Sequence, residues 1–583
     1  MGRDRTMWLT PKRFVAGLTL VALAMALTLF AYVFRRGLDL TDESLWILLL
    51  AYPDTVMATM DHAVWGRLLA LFPWTVVQLR WLTLGITLGS TAALAVVVSS
   101  RVLKGSSPEA RLSRAVVICF ALLGALLYFG LFRPTFYYTT TAVIASNLFA
   151  VAMLLQPTLE TRWGRIGCLA VMVLCLTMGF FARFPLPVLL LGLYGVVGWL
   201  EGRSCRSILT TVAIVSASTT ALCGLLALVG VYEPAQQFFL IDASTRSGSG
   251  HNPLNLIISF VRSGAENVVI VAVIVSVMVA ARRLGTKDGP LLAVGLTLAA
   301  AAALIWYVHA STGGMTFALL YHPLAMALIL DRFLPVLPIR GLGALLPARP
   351  ATAEDRNTFA LTLALYGTCL VGFLSSNNDI WVYSTMNMGP LFLLCAILLA
   401  EKHAERRLGA WPFAYMAVPI FALVGTQVFA AQYLYPSRLH GGIVRQSVAL
   451  DHPAVLRGLL VSPDLVALQN KLDRQLRAVN FDPRADRLFA GDHRDGMVLL
   501  AGGRSVGTPW TTTWSRNSDV WNCAVLAEGL RHPVRRIVGV DLGTLGTGTL
   551  DCLRKFGPFE VTARDSWGEI TVINPRADTR SYR

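Results

Sequence analysis

The chain has 583 residues, of which 55% are hydrophobic and only 14% are charged, and its mean hydropathy is +0.59. Because soluble domains carry about 25% charged residues, this composition excludes an ordinary soluble enzyme and a disordered chain. The net charge of +16 would fit a nucleic-acid partner, but the basic residues are spread over alternate loops and form no single patch, so no nucleic-acid partner is expected.

Thirteen stretches are apolar enough to predict membrane-spanning helices, which need about 20 mostly apolar residues. They lie at 14–34, 81–99, 115–132, 139–156, 166–182, 184–200, 207–230, 267–281, 290–308, 315–331, 358–374, 382–400 and 411–432. Basic residues cluster in the N-terminal arm and in every second loop, which predicts a cytoplasmic N-terminus; Arg35 and Arg36 are a local exception. The first stretch is longer than a typical signal peptide and has no clear cleavage site, so we expect it to be retained.

The composition changes near residue 435 and predicts two domains. Residues 1–435 form the transmembrane module, with a long first outer loop at 35–80. Three tryptophans within this loop and a fourth directly after it are expected at the membrane interface: Trp46, Trp65, Trp74 and Trp81. Residues 436–583 contain no long apolar run and are predicted to be an extracytoplasmic α/β domain. In that tail, 464–478 has helical spacing, and four short segments are typical of strands: 486–491, 497–501, 535–541 and 569–574.

The nine cysteines bear on the compartment of the tail. Only Cys523 and Cys552 lie in it, and an isolated pair in an oxidising compartment predicts a disulfide, with two unrelated buried thiols as the alternative. The sequence has neither a cysteine or histidine spacing typical of a metal site nor a glycine-rich phosphate loop. No cofactor is therefore required, while a divalent metal beside the carboxylates stays open.

Titratable and polar side chains collect on the predicted outer face, close to the lipid. Such groups are costly there and are functional candidates for that reason. A carboxylate can take a proton from an attacking hydroxyl, and the candidates are Asp42, Glu43 and Asp61. Arginine and its polar neighbours can bind a phosphate, and the candidates are His62, Arg80, Tyr137, Arg183, Arg246, His251, Asn377 and Asn378.

Each candidate also has an ordinary structural interpretation. Asp42 and Glu43 would equally suit the first turn of a solvated helix with Thr41 or Asp42 as its N-cap. Asp61-His62 could be the polar face of an amphipathic helix, and Arg183 could be a helix end that snorkels to water. Arg246–His251 could be a flexible loop, and Asn377-Asn378 could form an ordinary turn.

The motifs, taken in order, resemble those of GT-C glycosyltransferases. They are Asp42-Glu43 directly after the first span, the aromatic stretch Tyr137–Thr140, then Arg183–Pro185 and Ser376–Asn378. Within that superfamily the chain is similar to bacterial dolichyl-phosphate-mannose-protein-mannosyltransferase-like and aminoarabinose-transferase-like proteins. It departs from their pattern at Ser44, where glycine is usual, and at Phe136–Tyr138, where Ser-Tyr-Asn is usual.

The resemblance implies a GT-C-like fold and an inverting transfer of a hexose or pentose from a polyprenyl-phosphate donor. The acceptor would be a hydroxyl of a glycan, a lipid or a protein at the periplasmic side of a bacterial inner membrane. Asp42 would be the general base, with Glu43 or Asp61 as the alternative. Phosphate binding would fall to Arg183, Arg246 and His251, with His62 and Arg80 as weaker candidates.

Three other functions compete with this interpretation. A transporter or flippase of lipid-linked glycans would share the spans, but should carry polar groups at the membrane midplane and on both faces. A glycan polymerase or ligase would use the same lipid carriers. In a noncatalytic scaffold, the tail would bind a partner and Asp42-Glu43 would only start a helix.

Overall fold

The computed structural model describes twelve main stretches of the chain, with shorter pieces near 258–272 and 424–439. They are 11–52, 60–69, 71–130, 135–230, 318–333, 352–374, 380–404, 442–491, 494–507, 518–530, 534–565 and 568–574. The predicted spans 267–281 and 290–308, apart from isolated residues, and most of 411–432 lie outside the described residues.

Helices dominate the described part up to residue 404. They are α1 (Pro11–Val33), α2 (Asp42–Ala51), α3 (Met60–Leu69), α4 (Val76–Val102), α5 (Pro108–Leu126), α6 (Tyr138–Leu155), α7 (Arg162–Ala182), α8 (Leu186–Leu200), α9 (Cys205–Leu228), α10 (Ala318–Phe333), α11 (Ala353–Val371), α12 (Ile380–Tyr383) and α13 (Gly389–Ala404). Among these described helices, six are long and apolar enough to cross a membrane, so the chain is an integral membrane protein. The total of thirteen spans stays a prediction.

Local sequence sets where several of these helices begin. Thr75 starts α4 with a capping box in which Gln78 is the partner. Ser107 caps α5, and Pro108 follows at the first helical position, where its missing N–H is not needed. The central helix is α6, which packs against α4, α7 and α11, and its mostly apolar face lies in the largest hydrophobic core.

The long apolar stretch 166–200 is divided where the sequence predicts it. α7 ends at Ala182, Arg183 takes an extended conformation, and α8 begins after Pro185. The proline fixes its own φ angle and disfavours a helical conformation at the residue before it. The break brings Arg183 to the end of α7.

The predicted span 382–400 is wrong at its start. The short helix α12 is followed by a 3-10 turn, Ser384–Asn387, and α13 begins only at Gly389. The Ser384 hydroxyl donates to the carbonyl of Trp381 (3.1 Å), and such side-chain bonds compete with regular helix. Pro390 then favours a new helix start.

Residues 442–574, here called the C-terminal region, contain six strands and four helices among those described. The helices are α14 (Pro463–Ala478), α15 (Asp495–Leu500), α16 (Ser518–Gly529) and α17 (Thr547–Phe556); the strands are β1 (Val448–Ala449), β2 (Leu460–Val461), β3 (Arg487–Ala490), β4 (Ile537–Val540), β5 (Phe559–Asp565) and β6 (Gly568–Ile573). The main sheet has the order β3-β4-β6-β5, in which only β3 and β4 are parallel. The boundary between residues 435 and 436 stays a prediction.

The segment 497–501, predicted to be a strand, is instead the end of helix α15. A short buried apolar run fits a strand or a helix equally well by periodicity alone. Here Met497, Val498 and Leu500 are buried between β3 and the first outer loop. Elsewhere in the region a disulfide joins Cys523 of α16 to Cys552 of α17.

Helix α2 lies between two hydrophobic cores. Ile47 and Leu48 are fully buried in the same cluster as Leu450, Leu472 and Met497 of the C-terminal region, among others. On the other side of α2, Trp46 packs against the core of the membrane helices. The acidic helix start is therefore fixed between the two parts of the chain.

Candidate active site

A buried turn built on Asp39 precedes α2. One Asp39 carboxylate oxygen accepts hydrogen bonds from the backbone N–H (2.8 Å) and the hydroxyl (2.6 Å) of Thr41. The Asp39 backbone N–H donates to Glu43 Oε2 (3.1 Å), and its carbonyl accepts from the Ser44 hydroxyl (2.6 Å). Burial raises the pKa of Asp39 to about 6. Thr41 precedes the helix without capping it through its side chain, so Asp39 organises this helix start.

Glu43 and Arg80 form a buried ion pair. Arg80 Nε and Nη2 donate to the two carboxylate oxygens of Glu43 (2.8 and 2.7 Å). The remaining Arg80 N–H groups donate to the carbonyls of Phe34, Arg36 and Gly37. Arg80 thus ties α4 to the chain between α1 and α2, and all of its donors are used. No N–H group of Arg80 is therefore left for the predicted contact with a donor phosphate.

Asp61 and His62 form a second buried pair on α3. Each is 1% exposed, and His62 Nδ1 lies 2.9 Å from Asp61 Oδ1. The other Asp61 oxygen accepts from the Thr141 hydroxyl of α6 (3.2 Å), which in turn accepts from the Trp65 indole (3.1 Å). The alternative predicted for this pair, the polar face of an amphipathic helix at the membrane interface, does not match this burial.

Aromatic rings join α2 to this pair. Trp46 stacks on the His62 ring, with centroids 5.0 Å apart, and on the Tyr137 ring at 5.7 Å. Tyr138 meets Trp46 edge-on at 5.3 Å. Asp42 lies one helical turn before Trp46, and residues four apart share a helix face. The half-buried Asp42 therefore lies on the same face of α2 as the ring that covers His62.

Arg183 completes this cluster from the end of α7. Its side chain is 7% exposed, so it does not snorkel to water. Nη2 donates to the Thr139 hydroxyl (3.2 Å), whereas Nε and Nη1 have no hydrogen-bond partner among the described residues. The guanidinium lies 5.1 Å from the Tyr138 ring and 5.3 Å from the Phe373 ring, and Tyr138 in turn contacts the Trp46 ring that covers His62.

A buried guanidinium with two nitrogens unpartnered among the described residues is unusual in a protein interior. A buried donor without a partner costs about 1–3 kcal/mol, and more when it is charged. An anion with several oxygens would satisfy the free donors and offset the charge. The cluster of Asp61, His62, Trp46, Tyr137 and Arg183, called the polar cluster below, is therefore suited to an anionic ligand.

The predicted site residues have different outcomes. Asp61, His62, Tyr137 and Arg183 come together in the polar cluster, and Asp42 lies one turn from it. Glu43 and Arg80 bind each other. Four further residues, Arg246, His251, Asn377 and Asn378, lie outside the described residues. Within the described part of the chain, no three His, Cys, Asp or Glu side chains gather as metal ligands, and a metal stays an open expectation.

Several members of the site were not singled out as site residues from the sequence. Trp46, one of the tryptophans predicted to lie at the membrane interface, stacks its ring on His62. Thr139 and Thr141 belong to the Tyr137–Thr140 stretch or follow it directly, and they contact Arg183 and Asp61. A run of three threonines at the start of an otherwise apolar span was the available signal, because hydroxyls there need partners.

Comparison with known proteins finds relatives among solved structures alone. No family model matches the chain, and no curated protein matches it. Two crystal structures of ArnT, an aminoarabinose transferase of the GT-C type from Cupriavidus metallidurans, are similar to it. One is bound to undecaprenyl phosphate; it is 14% identical, with 96% of this chain and 98% of that chain covered and a TM-score of 0.43. The other, in the apo state, is 13% identical, with 95% and 97% covered and a TM-score of 0.44.

Proposed function

We propose that the chain is a membrane glycosyltransferase that moves a sugar from a polyprenyl-phosphate donor to an acceptor hydroxyl. The observation that carries the proposal is Arg183, whose buried guanidinium keeps two nitrogens unpartnered among the described residues. It lies over the Tyr138 ring, which contacts the Trp46 ring that covers His62. A phosphate of the donor would take these N–H groups, while the polyprenyl tail would lie along the apolar helices. The sequence resemblance to GT-C enzymes agrees with this assignment.

The transfer would be a single displacement at the anomeric carbon. The acceptor oxygen forms the new glycosidic bond while the bond to the phosphate oxygen breaks, and the polyprenyl phosphate leaves with the electron pair. The charge that develops on the phosphate would be stabilised by Arg183, because fixed donors in a site without water act strongly. One displacement inverts the anomeric configuration.

Asp42 is the proposed general base, which receives the proton of the acceptor hydroxyl. Glu43 is a poorer choice because both of its oxygens already accept from Arg80, and one also accepts from Thr135. Asp61 is the alternative base. Its carboxylate is held by His62 and Thr141, so we assign to Asp61 the role of orienting His62 beside the donor.

The proposed location is the outer leaflet side of a bacterial inner membrane, with the C-terminal region in the periplasm.

The test is transfer by the purified full-length protein in lipid nanodiscs. Radiolabelled polyprenyl-phosphate hexoses and pentoses are offered together with lipid, glycan and protein acceptors. A new glycosidic bond on one acceptor class, absent after heat inactivation, is the expected result. Movement of labelled lipid across vesicles with no new bond to any acceptor would overturn the proposal in favour of a flippase.

A further inference from the structure

Helix α2 belongs structurally to the C-terminal region as much as to the membrane helices. Ile47 and Leu48 are at most 1% exposed, and their cluster includes Leu472 of α14 and Met497 of α15. The opposite side of α2 carries Trp46, which contacts His62 and Tyr137. Any shift of the C-terminal region therefore acts on the helix that bears the proposed base.

Main-chain hydrogen bonds fix the chain just before α2 to the C-terminal region. The N–H of Gly37 donates to the carbonyl of Leu460 in β2, and the N–H of Leu460 donates to the carbonyl of Arg35, both at 2.7 Å. Closer to the helix, the N–H of Gly496 in α15 donates to the carbonyl of Leu40, also at 2.7 Å. These bonds set the position of the backbone independently of side chains.

The contact at Gly496 leaves no room for a side chain. A Cβ atom on Gly496 would lie 2.6 Å from the Leu40 Cα and 2.5 Å from its Cδ2. Because one of these atoms is backbone, the Leu40 segment itself would have to move. At the other end of α2, the Arg504 guanidinium lies 5.2 Å from the ring of Tyr52, the residue that follows the helix. The C-terminal region thus contacts both ends of α2.

We propose that the C-terminal region holds α2 in its working position, and that Gly496 and Arg504 are positioning residues for transfer although neither is part of the polar cluster. The inference rests on the proposed function, since α2 carries Asp42. It assigns to the C-terminal region a direct part in setting the geometry of the base. A displacement of about 1 Å at a reacting group can cost as much as a hundredfold in rate.

The experiment compares three glycine variants of the full-length protein in nanodiscs. Gly496→Ala pushes on the Leu40 backbone. Gly539→Ala creates an overlap within the C-terminal region that involves only a side chain, with Leu542 Cδ1 at 2.4 Å, whereas Gly543→Ala adds a methyl group where no atom lies within 4 Å. Hydrogen exchange of the α2 amides, kcat and the KM for the donor lipid are measured for each.

We expect Gly496→Ala to lower kcat by about tenfold to a hundredfold with little change in KM, and to speed exchange in α2 by about tenfold. Gly539→Ala and Gly543→Ala should leave both properties near the wild-type values. Equal losses of kcat in Gly496→Ala and Gly539→Ala would overturn the inference, because general destabilisation of the region would then explain them. Wild-type exchange in α2 of Gly496→Ala would also overturn it.

A second pair of variants removes a contact without adding an atom. Arg504→Ala should speed exchange at the Tyr52 end of α2, and Arg504→Lys, which keeps a cation near the ring, should recover part of the protection. Unchanged exchange in Arg504→Ala would contradict the role of that contact. If the wild-type protein transfers no sugar, the proposed function fails, while the exchange measurements still decide whether the C-terminal region holds α2.

Discussion

At the level of single residues, Arg183 is the clearest candidate for binding an anion because of the side chains that surround it. The sequence places it between two apolar runs, where an arginine that reaches water at the membrane surface is the ordinary outcome. The structure buries it against Tyr138 and Phe373 instead. Because, in the part of the chain that the structure describes, Thr139 is the partner of only one of its nitrogens, the side chain keeps donors for a ligand.

Replacement of Arg183 tests whether its two unpartnered nitrogens bind the donor phosphate. Arg183→Ala should weaken binding of polyprenyl phosphate by about tenfold to a hundredfold, since hydrogen bonds to charged groups contribute about 1.5–3 kcal/mol. Arg183→Lys should recover only part of the loss because an ammonium lacks the planar fork. Lipid affinity is measured by titration in nanodiscs. The matched control is Arg162→Ala, an exposed arginine at the other end of α7; equal affinities for both alanine variants would contradict a phosphate role for Arg183.

The proposed base is tested by a substitution that keeps the shape of the side chain. Asp42→Asn should lower kcat by about a hundredfold or more, the usual contribution of a general base, while donor-lipid affinity stays close to that of the wild type. The control is Asp464→Asn, an exposed acid that also lies in the first turn of a helix. If both variants keep full activity, Asp42 is only a helix-start residue and the mechanism has no base there.

At the level of helices and strands, the arrangement of α1, α2 and α4 depends on one buried ion pair. Arg80 binds Glu43 and also three carbonyls that follow α1. Those carbonyls lie beyond the last helical turn, where carbonyls lack partners within the helix. The pair therefore links the end of α1, through these carbonyls, to the start of α2, through Glu43.

Loss of either partner of this pair should be costly. Glu43→Gln or Arg80→Met alone leaves a buried group unpaired and should reduce the free energy of unfolding by about 3–5 kcal/mol. The double variant should lose less than the sum of the two, and thermal unfolding in nanodiscs measures all three. The exposed pair Arg554–Asp551 is the control, in which Asp551→Asn should leave the unfolding temperature unchanged. Strict additivity of the two buried substitutions would contradict the coupling.

The sequence predicts some elements well and others poorly, for identifiable reasons. Long apolar runs such as those of α4 and α6 predict spans directly, because the bilayer sets their length. The run 497–501 is too short for periodicity to separate strand from helix, and in the structure its apolar side chains lie in the core that also contains Ile47 and Leu48 of α2. Asp61 is a candidate from the sequence because it adjoins His62 on the predicted outer face, whereas its contact with Thr141, 80 residues away, depends on how α3 packs against α6.

At the level of the whole molecule, the C-terminal region has an electrostatic anchor of its own. Asp486 is fully buried just before β3 and accepts hydrogen bonds from Arg535 and Arg536, just before β4. Burial alone would raise the pKa of Asp486, but the hydrogen bonds from Arg535, from the Asp482 backbone and from Arg536 together hold it below its usual value of 3.8. The starts of the two parallel strands are thereby held together.

This anchor predicts the direction of a pH effect. Because the pKa of Asp486 is lower in the folded state, the ionised carboxylate stabilises the region above about pH 4 and stops doing so as the pH falls below that value. Asp486→Asn should therefore speed hydrogen exchange in β3 and β4 at pH 7, and the difference from the wild type should shrink toward pH 3. Exchange rates are corrected for their intrinsic pH dependence. A difference that stays constant over this range would contradict the assignment.

The shared core around Ile47 also dictates an order of events during biosynthesis. Its partners Leu472 and Met497 leave the ribosome hundreds of residues after α2 does. Until then the apolar side of α2 lacks its final cover, and nascent chains with such exposed surface are prone to aggregate. The membrane helices can therefore be inserted early, but the position of α2 is set only after residues 472–497 have been translated.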